Sequence, residues 1–314
     1  MLFSSIRESH RPSCLRQLRM ARLSRAVFAL TVVGACSLPC APATNAQSVP
    51  QAAPPSSTPK STARQPIWSD QWPWSSIGRI NIAITTKRGT CTASLVGLRT
   101  IITAAHCLYD DRLHQWIGAE NVHFITGLSP GLKHYTGHSV ALRYVISPNY
   151  KVESEDQKPD YRPRPPGAPP PKFPESMMSM RRDDWAVVTL NDALDLKPIP
   201  VQSMKNASLP ESTAQEIVVP GYGADRPHLL AISRGCSAVT DDPQWGEGYL
   251  IHSCEIALGV SGGPVLLLQD QDAALIGIAT AGPQIRPGKT ALGGLGVSAT
   301  QFADAILSAN EGHY

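Results

Sequence analysis

The stretch GVSGGP (residues 259–264) lies in the last third of the chain and sets one serine among three glycines. Glycines on both sides let the backbone turn tightly and direct its amide N–H groups into the turn. A serine in such a turn can attack a carbonyl carbon when a base takes its proton and N–H groups stabilise the oxyanion that forms. The stretch therefore predicts Ser261 as a nucleophile, and it predicts a base and an orienting acid elsewhere in the chain.

Two earlier stretches contain a base and an acid of this kind. His106 lies in TAAHC (residues 103–107), and DWAVVTL (residues 184–190) opens with Asp184 at the head of an apolar strand. A neutral imidazole accepts a proton from serine, and a carboxylate beside it fixes its tautomer and stabilises its charged form. Asp183 precedes Asp184 directly, so two alternatives for the acid stay open at this point.

From about Trp68 onward the chain has the pattern of short β-strands. Segments such as INIAI (residues 80–84) alternate, and Gly, Pro, Asn and Asp separate one segment from the next. Residues 151–183 interrupt the pattern, because their many prolines cannot join a central strand. After Ser298 a capping box and one apolar face predict a C-terminal helix over about 299–309. The pattern favours an all-β barrel or sandwich with a terminal helix.

The three stretches, in the order His, Asp, Ser, resemble the signature blocks of the trypsin/chymotrypsin-like serine protease family, and its bacterial exported branch in particular. GYGADR (residues 221–226) and LIGIATAG (residues 275–282) resemble two further blocks, so the resemblance covers about residues 68–310. It implies a protease domain over 67–314, built of two six-stranded antiparallel β-barrels with a C-terminal helix. The first barrel is expected over about 75–195, including the insert 151–183, and the second over about 196–300.

The resemblance also implies roles for the residues of the three blocks. His106 would act as general base and then as general acid, and Ser261 would form an acyl-enzyme with a protein or peptide substrate. Asp184 would orient the histidine, because its distance to Leu190 matches the count of the family block. The oxyanion hole would consist of the backbone amides of Gly259 and Ser261. This chemistry needs no metal and no organic cofactor.

Four residues are expected around the substrate pocket on the same grounds. Glu255 stands six residues before Ser261, where trypsins carry the acid at the base of the pocket, so cleavage after Arg or Lys is expected. The alternative is that Glu255 is a solvated loop residue. Gly282 and Gly296 would line the pocket walls, and Thr280 falls where a hydroxyl residue usually donates a hydrogen bond to the buried carboxylate.

The cysteines are compatible with an exported protein. Three of the seven lie in the first 46 residues, which leaves Cys91, Cys107, Cys236 and Cys254 for two disulfides in one of three connectivities. The family resemblance implies the pair Cys91–Cys107 and so leaves Cys236–Cys254. Zinc binding is disfavoured, because no pair has tight metal-ligand spacing.

Residues 1–46 have the pattern of a signal peptide. Four arginines (residues 16–25) precede an apolar run over 26–36 that is too short to span a bilayer, and Ala46 ends a cleavage site. Translation from Met20, lipidation of Cys36 and an uncleaved anchor are the alternatives. The expectation is a periplasmic or secreted monomer, held at a membrane only if Cys36 is lipidated.

Charge and composition set the remaining limits. Residues 1–46 contain six arginines and one glutamate, a balance of +5, whereas the rest contains 22 Lys and Arg against 24 Asp and Glu, a balance of −2. A near-neutral body gives no electrostatic case for a nucleic-acid partner. Residues 47–66 are rich in Pro, Ser and Ala and are predicted to form a disordered linker.

Two further expectations concern activation and rival functions. Family members that are activated at a new N terminus carry an acid just before the serine, but here that residue is Val260, so activity without N-terminal activation is expected. GxSxG also occurs in α/β-hydrolase esterases, yet these need a histidine after the serine, and only His313 qualifies. A catalytically silent binding protein on a protease scaffold is the remaining alternative.

Overall fold

The computed structural model describes residues 63–84, 90–128, 135–152, 181–210, 212, 214–243, 245–281 and 290–313. The predicted signal peptide, residues 153–180 of the proline-rich insert and Gly282 lie outside these ranges. No helix within these ranges has the length and apolar character that a membrane span requires.

The described elements are seventeen strands, one α-helix and four short 3-10 helices. The strands are β1 (Gln65–Pro66), β2 (Ile77–Ile82), β3 (Thr90–Leu95), β4 (Thr100–Thr103), β5 (Tyr109–Asp110), β6 (Gln115–Trp116), β7 (Val122–Thr126), β8 (Gly137–Ile146), β9 (Ala186–Leu190), β10 (Ser208–Leu209), β11 (Glu216–Gly221), β12 (Ala231–Cys236), β13 (Ala238–Thr240), β14 (Tyr249–Ala257), β15 (Pro264–Gln269), β16 (Asp272–Ala281) and β17 (Thr290–Ser298). The helix is α1 (Ala303–Asn310), and the 3-10 helices are Trp74–Ser76, Ala105–Leu108, Ala119–Asn121 and Ala299–Gln301.

The first half of the described chain forms a closed six-stranded barrel in the order β2-β3-β4-β9-β8-β7. Its strands bury alternate residues, as in β2, where Ile80 and Ile82 face the barrel core. In the short strands β4 and β9 every residue is buried, because both faces are covered. A barrel of this kind leaves no free sheet edge, so the loops at its ends are the surfaces available to a site.

The second half forms a nine-stranded sheet in the order β1-β12-β11-β15-β16-β17-β14-β13-β10. The disulfide Cys236–Cys254 joins β12 to β14, and the Ser253 N–H donates to the Ser237 carbonyl at 3.0 Å. β12 and β14 are the first and the last of six consecutive strands in this order. Contacts between them therefore curl the sheet into a second barrel-like unit. The prediction of an all-β fold with barrels and a C-terminal helix is confirmed. The short strands β1, β13 and β10 are additions to it.

The two halves share one core, and α1 closes it. Val218 and Ile278 of the second half pack in the same cluster as Ile102 of the first half, together with Phe302 and Ile306. The helix begins at Ala303, later than the predicted start near residue 299, because Ala299–Gln301 adopts a 3-10 turn whose Thr300 N–H is accepted by the Ser298 hydroxyl.

The N-terminal boundary of the folded body differs from the prediction. Residues 63–66 were assigned to the disordered linker 47–66, but Gln65 and Pro66 form β1 and pair with Ile232 and Ala231 of β12. A proline is tolerated there because β1 is an edge strand. The composition of the segment concealed this strand, since Pro and Ser dominate the residues before it.

Candidate active site

The pairing of two strands brings His106 and Asp184 together. β4 and β9 are antiparallel, with Thr103 opposite Ala186, so the chain after Thr103 and the chain before Ala186 leave the barrel at the same end. His106 follows in the 3-10 helix Ala105–Leu108, and Asp184 lies two residues before β9 begins. Both residues therefore lie within three residues of a strand end.

Asp184 holds His106 through two atoms. The His106 backbone N–H donates to Oδ1 of Asp184 at 2.9 Å, and Nδ1 of the ring lies 2.7 Å from Oδ2. A carboxylate only accepts hydrogen bonds, so Nδ1 carries the proton and Nε2 is left as a proton acceptor. The carboxylate is 10% exposed and the imidazole 38% exposed, so the acid is shielded while the ring can reach a substrate.

The neighbouring Asp183 faces a different part of the barrel. Its Oδ1 accepts a hydrogen bond from the Ser147 hydroxyl at 2.8 Å, and its Oδ2 lies 3.6 Å from Nε of Arg182. The two acids that the sequence left as alternatives therefore contact different partners, Asp184 the histidine and Asp183 Ser147.

The Ser261 turn packs against the chain that leads into His106. Gly262 has φ +77°, and a Cβ atom there would lie 2.7 Å from the backbone N of Ala104. The Cys107 Sγ atom lies 3.7 Å from Nε2 of His106 and 3.9 Å from the Ser261 carbonyl oxygen. The structure thus brings the histidine, the aspartate and the serine turn to one place between the two halves.

The backbone of this turn is held through its carbonyl groups. The Ser261 carbonyl accepts from the Thr92 N–H at 2.9 Å, and the Leu258 carbonyl accepts from the Ala224 N–H at 2.6 Å. Gly259 has φ +94°, a conformation that side chains disfavour. Within the described ranges, the Gly259 and Ser261 N–H groups have no protein acceptor. Two backbone donors are therefore left for a ligand.

Thr92 is a further residue of the site, and no sequence motif pointed to it. Its fully buried hydroxyl donates to the Gly259 carbonyl at 2.9 Å and accepts from the Tyr222 N–H at 2.9 Å. One side chain of β3 thus ties the serine turn to the Gly221–Asp225 segment. Because these partners are more than 100 residues away in sequence, only the folded chain reveals the connection.

We expect Thr92→Val to lower kcat about tenfold, which corresponds to about 1.4 kcal/mol. The substitution keeps the shape of the side chain but leaves a buried carbonyl and a buried N–H unpaired, and each loosens the turn. Thr92→Ser keeps the hydroxyl and is the matched control. Steady-state kinetics on a fluorogenic peptide separate the two variants, and equal kcat values for Val and Ser would contradict this role.

The expected contact of Thr280 is not formed. The resemblance implied a hydrogen bond from its hydroxyl to the Asp184 carboxylate, but in the described structure the hydroxyl donates to the Leu295 carbonyl at 3.4 Å. The physical reason is an irregularity in the pairing of β16 with β17 between Ala279 and Ala281, which places Thr280 beside Leu295.

Of the other predicted pocket residues, the structure describes Glu255 and Gly296. Glu255 is half-buried on β14, opposite Leu292 of β17, and its carbonyl accepts from the Ser233 hydroxyl at 2.7 Å. Among the described residues no cation lies within ion-pair distance of the Glu255 carboxylate. Gly296 is buried between Leu250 and Ala279, its strand partners. Gly282 lies outside the described residues.

Both disulfides brace this region. Cys91 of β3 is bonded to Cys107, next to His106, and Cys236 is bonded to Cys254, seven residues before Ser261. Closing a loop the size of the first is worth about 3 kcal/mol in the chain-entropy model. Cys91, His106 and Cys107 form the one metal-like cluster in the described part of the chain, but sulfurs in a disulfide are not thiolate ligands, so this cluster does not fit a metal.

Comparison with known families gives the class of the protein. The chain matches the family model described as trypsin-like peptidase domain over residues 91–278, more than half of its 314 residues. It therefore belongs to the trypsin-like peptidase domain family. Membership of a peptidase family implies protein or peptide substrates.

Solved structures share the fold at low sequence identity. A Glu endopeptidase solved in complex with MPD is 17% identical, with a TM-score of 0.53 over 79% of this chain and 96% of that one. The thermostable serine protease AL20 from an extremophilic microorganism is 18% identical, with a TM-score of 0.51 over 76% and 97%. The VesB protease of Vibrio cholerae is 18% identical, with a TM-score of 0.52 over 79% and 67%. None of the curated proteins compared matches the chain.

Proposed function

We propose that this protein is a serine endopeptidase that cleaves peptide bonds through an acyl-enzyme on Ser261. The observation that carries the proposal is the position of His106, which Asp184 holds at 2.9 and 2.7 Å. The Cys107 sulfur lies 3.7 Å from Nε2 of this ring and 3.9 Å from the Ser261 carbonyl oxygen. In that arrangement the ring has one nitrogen fixed as a donor and the other available as a base.

The reaction follows from these groups. His106 Nε2 takes the proton of the Ser261 hydroxyl as its oxygen attacks the carbonyl carbon, and the imidazolium is stabilised by Asp184. The Gly259 and Ser261 N–H groups donate to the oxyanion of the tetrahedral intermediate. His106 then gives the proton to the leaving amine, and a water molecule repeats the sequence to release the acid product. Every step uses protein groups and water.

The test is to incubate the protein with casein and to identify the products by mass spectrometry. New internal termini are expected, and they should be absent after treatment with a fluorophosphonate. Hydrolysis of p-nitrophenyl acetate without any peptide cleavage would instead indicate an esterase. No turnover of either substrate would indicate a binding protein on a protease scaffold.

Glu255 supports a preference for Arg or Lys before the cleaved bond. Its carboxylate lacks a direct cation partner among the described residues, and a half-buried carboxylate in a pocket is stabilised by a cationic side chain. Gly296 and Gly282 are proposed as wall residues and Thr280 as a further residue of the pocket.

We expect Glu255→Ala to lower kcat/KM for Arg and Lys substrates by about 100-fold, because a desolvated opposite charge is worth about 3 kcal/mol. Glu247→Ala is the control, since Glu247 is an exposed acid of the same half that lies 3.7 Å from Lys205. The preference of both variants is measured with a peptide library in which the residue before the cleaved bond is varied over all amino acids. An unchanged preference in Glu255→Ala would contradict the assignment.

We further propose export to the periplasm or the medium as a monomer, through cleavage of the 1–46 signal peptide. Two disulfides in one body support an oxidising compartment. Lipidation at Cys36 is the alternative, and the mass of the mature protein distinguishes the two.

A further inference from the structure

The chain enters its folded body through a short segment that lies on the second half. This strap, residues 63–67, contains β1, which pairs with β12, and the Ile67 N–H donates to the Leu230 carbonyl at 2.9 Å. The strap also carries Arg64, whose side chain is 1% exposed. An arginine is rarely buried to this degree unless its charge is used.

The Arg64 guanidinium contacts both ends of the Gly221–Asp225 segment. Its Nη2 donates to the Gly221 carbonyl at 2.8 Å, and its Nε lies 3.4 Å from Oδ2 of Asp225. Arg226 links the strap to the segment as well, because its Nη1 donates to the same Asp225 oxygen and to the Arg64 carbonyl, each at 3.1 Å. The strap and the segment are thus fastened to each other at several points.

These contacts are not an efficient way to gain stability. Nη1 of Arg64 and Oδ1 of Asp225 are buried without a hydrogen-bond partner among the described residues. Burial lowers the pKa of Arg64, while Asp225 and, more weakly, Glu255 raise it. A buried and incompletely satisfied ion pair is weak evidence for a stabilising role. A role in positioning other groups accounts better for its presence.

The segment that Arg64 contacts is also hydrogen-bonded to the peptide group that precedes Gly259. The Ala224 N–H donates to the Leu258 carbonyl at 2.6 Å. In a trans peptide the C=O and N–H groups point in opposite directions. The Leu258–Gly259 peptide therefore directs its C=O to Ala224 and its N–H away from it. If Ala224 moved, this peptide could rotate and withdraw the donor.

We propose that Arg64 is a positioning residue of the oxyanion hole. Its guanidinium fixes the Gly221–Asp225 segment, and through the Ala224 N–H this segment holds the Gly259 N–H in its donating orientation. The inference rests on the proposed function and adds a residue to it. It also gives a physical basis for activity without a new N terminus. Val260 has no carboxylate that could pair with an N-terminal amine, and the buried Arg64 cation orders the turn instead.

The experiment measures acylation by p-nitrophenyl acetate in the full chain. We expect Arg64→Ala to slow acylation about 30-fold, somewhat less than the 10²–10³-fold loss typical of deleting an oxyanion donor outright. Arg64→Lys keeps the charge but not the planar fork, so an intermediate rate is expected. Guanidinium chloride, well below unfolding concentrations, should restore much of the rate of Arg64→Ala, whereas sodium chloride at the same concentration should not.

Two further variants make the result interpretable. Arg234→Ala is the control, because Arg234 is a partly buried arginine on β12 that pairs with Glu216 and does not contact the Gly221–Asp225 segment. It is expected to leave acylation unchanged. Asp225→Asn retains the size of its side chain and is expected to slow acylation several-fold even if Arg64→Ala fails to fold.

The outcomes separate this inference from the proposed function. Absence of acylation and of peptide cleavage in the wild-type protein would overturn the proposed function itself. An active wild type with Arg64→Lys and Asp225→Asn both within about twofold of its rate, or a folded Arg64→Ala within about threefold, would overturn only the role of Arg64, because the donor geometry would then be independent of it.

Discussion

Ser261→Ala is expected to lower kcat for peptide hydrolysis by about a millionfold, the size of loss seen when a serine protease loses its nucleophile. Alanine removes the oxygen that forms the acyl-enzyme and leaves His106, Asp184 and the backbone donors in place. The residual rate should then be that of water attacking a carbonyl polarised in the oxyanion hole, about 10³–10⁴ times the rate in water. Fluorogenic peptide hydrolysis measures the loss.

The matched control for this variant is Ser253→Ala. Ser253 is an exposed serine on β14, eight residues before Ser261, and its hydroxyl accepts from the Ser237 N–H at 2.9 Å. Its replacement is expected to leave kcat within about twofold, as for most surface substitutions. A Ser261→Ala protein that keeps more than a few per cent of wild-type activity, under conditions that exclude a contaminating protease, would contradict the assignment of the nucleophile.

Asp184→Asn is expected to lower kcat about 10⁴-fold, and the contacts of Asp184 give the reason. The His106 backbone N–H requires an acceptor at the Oδ1 position, so the amide oxygen of asparagine would take that place. The NH2 group would then face Nδ1 of the ring, 2.7 Å away, and donate to it. Nε2 would carry the ring proton and could no longer accept one from serine.

Asp183→Asn tests the same chemistry at the adjacent position. Asp183 binds Ser147 rather than the histidine, so its replacement is expected to change kcat less than threefold and to lower stability by about 1 kcal/mol. Both Asp184→Asn and Asp183→Asn are compared with the wild type by measuring kcat for a fluorogenic peptide and by thermal unfolding. The reverse order of the two effects on kcat would assign the orienting acid to Asp183.

The sequence was informative where function depends on residues that are close together in the chain. TAAHC, DWAVVTL and GVSGGP each place a predicted site residue within three residues of a strand, and the pairing of β4 with β9 brings the first two of them together. Which of Asp183 and Asp184 contacts His106 is visible only in the structure, because it depends on the direction of each side chain.

The sequence was uninformative where a role depends on a long-range contact. Arg64 lies within residues 47–66, whose composition predicted a linker, and only the folded chain shows that β1 pairs with β12 and that Arg64 is buried. In the sequence Thr92 is an ordinary strand threonine, and only the structure shows that its hydroxyl donates to the Gly259 carbonyl. The bond expected from Thr280 failed for the same reason, because an irregular register between two strands cannot be read from either strand alone.

If His106 activates Ser261 as a nucleophile, a fluorophosphonate probe will label this serine covalently. The folded wild-type protein is expected to take up one probe per chain, at Ser261, as mapped by mass spectrometry of the digested protein. His106→Ala, with an unchanged circular dichroism spectrum, is expected to remain unlabelled over the same time. An unlabelled wild type, a label on another residue, or equal labelling of His106→Ala would show that His106 does not activate Ser261.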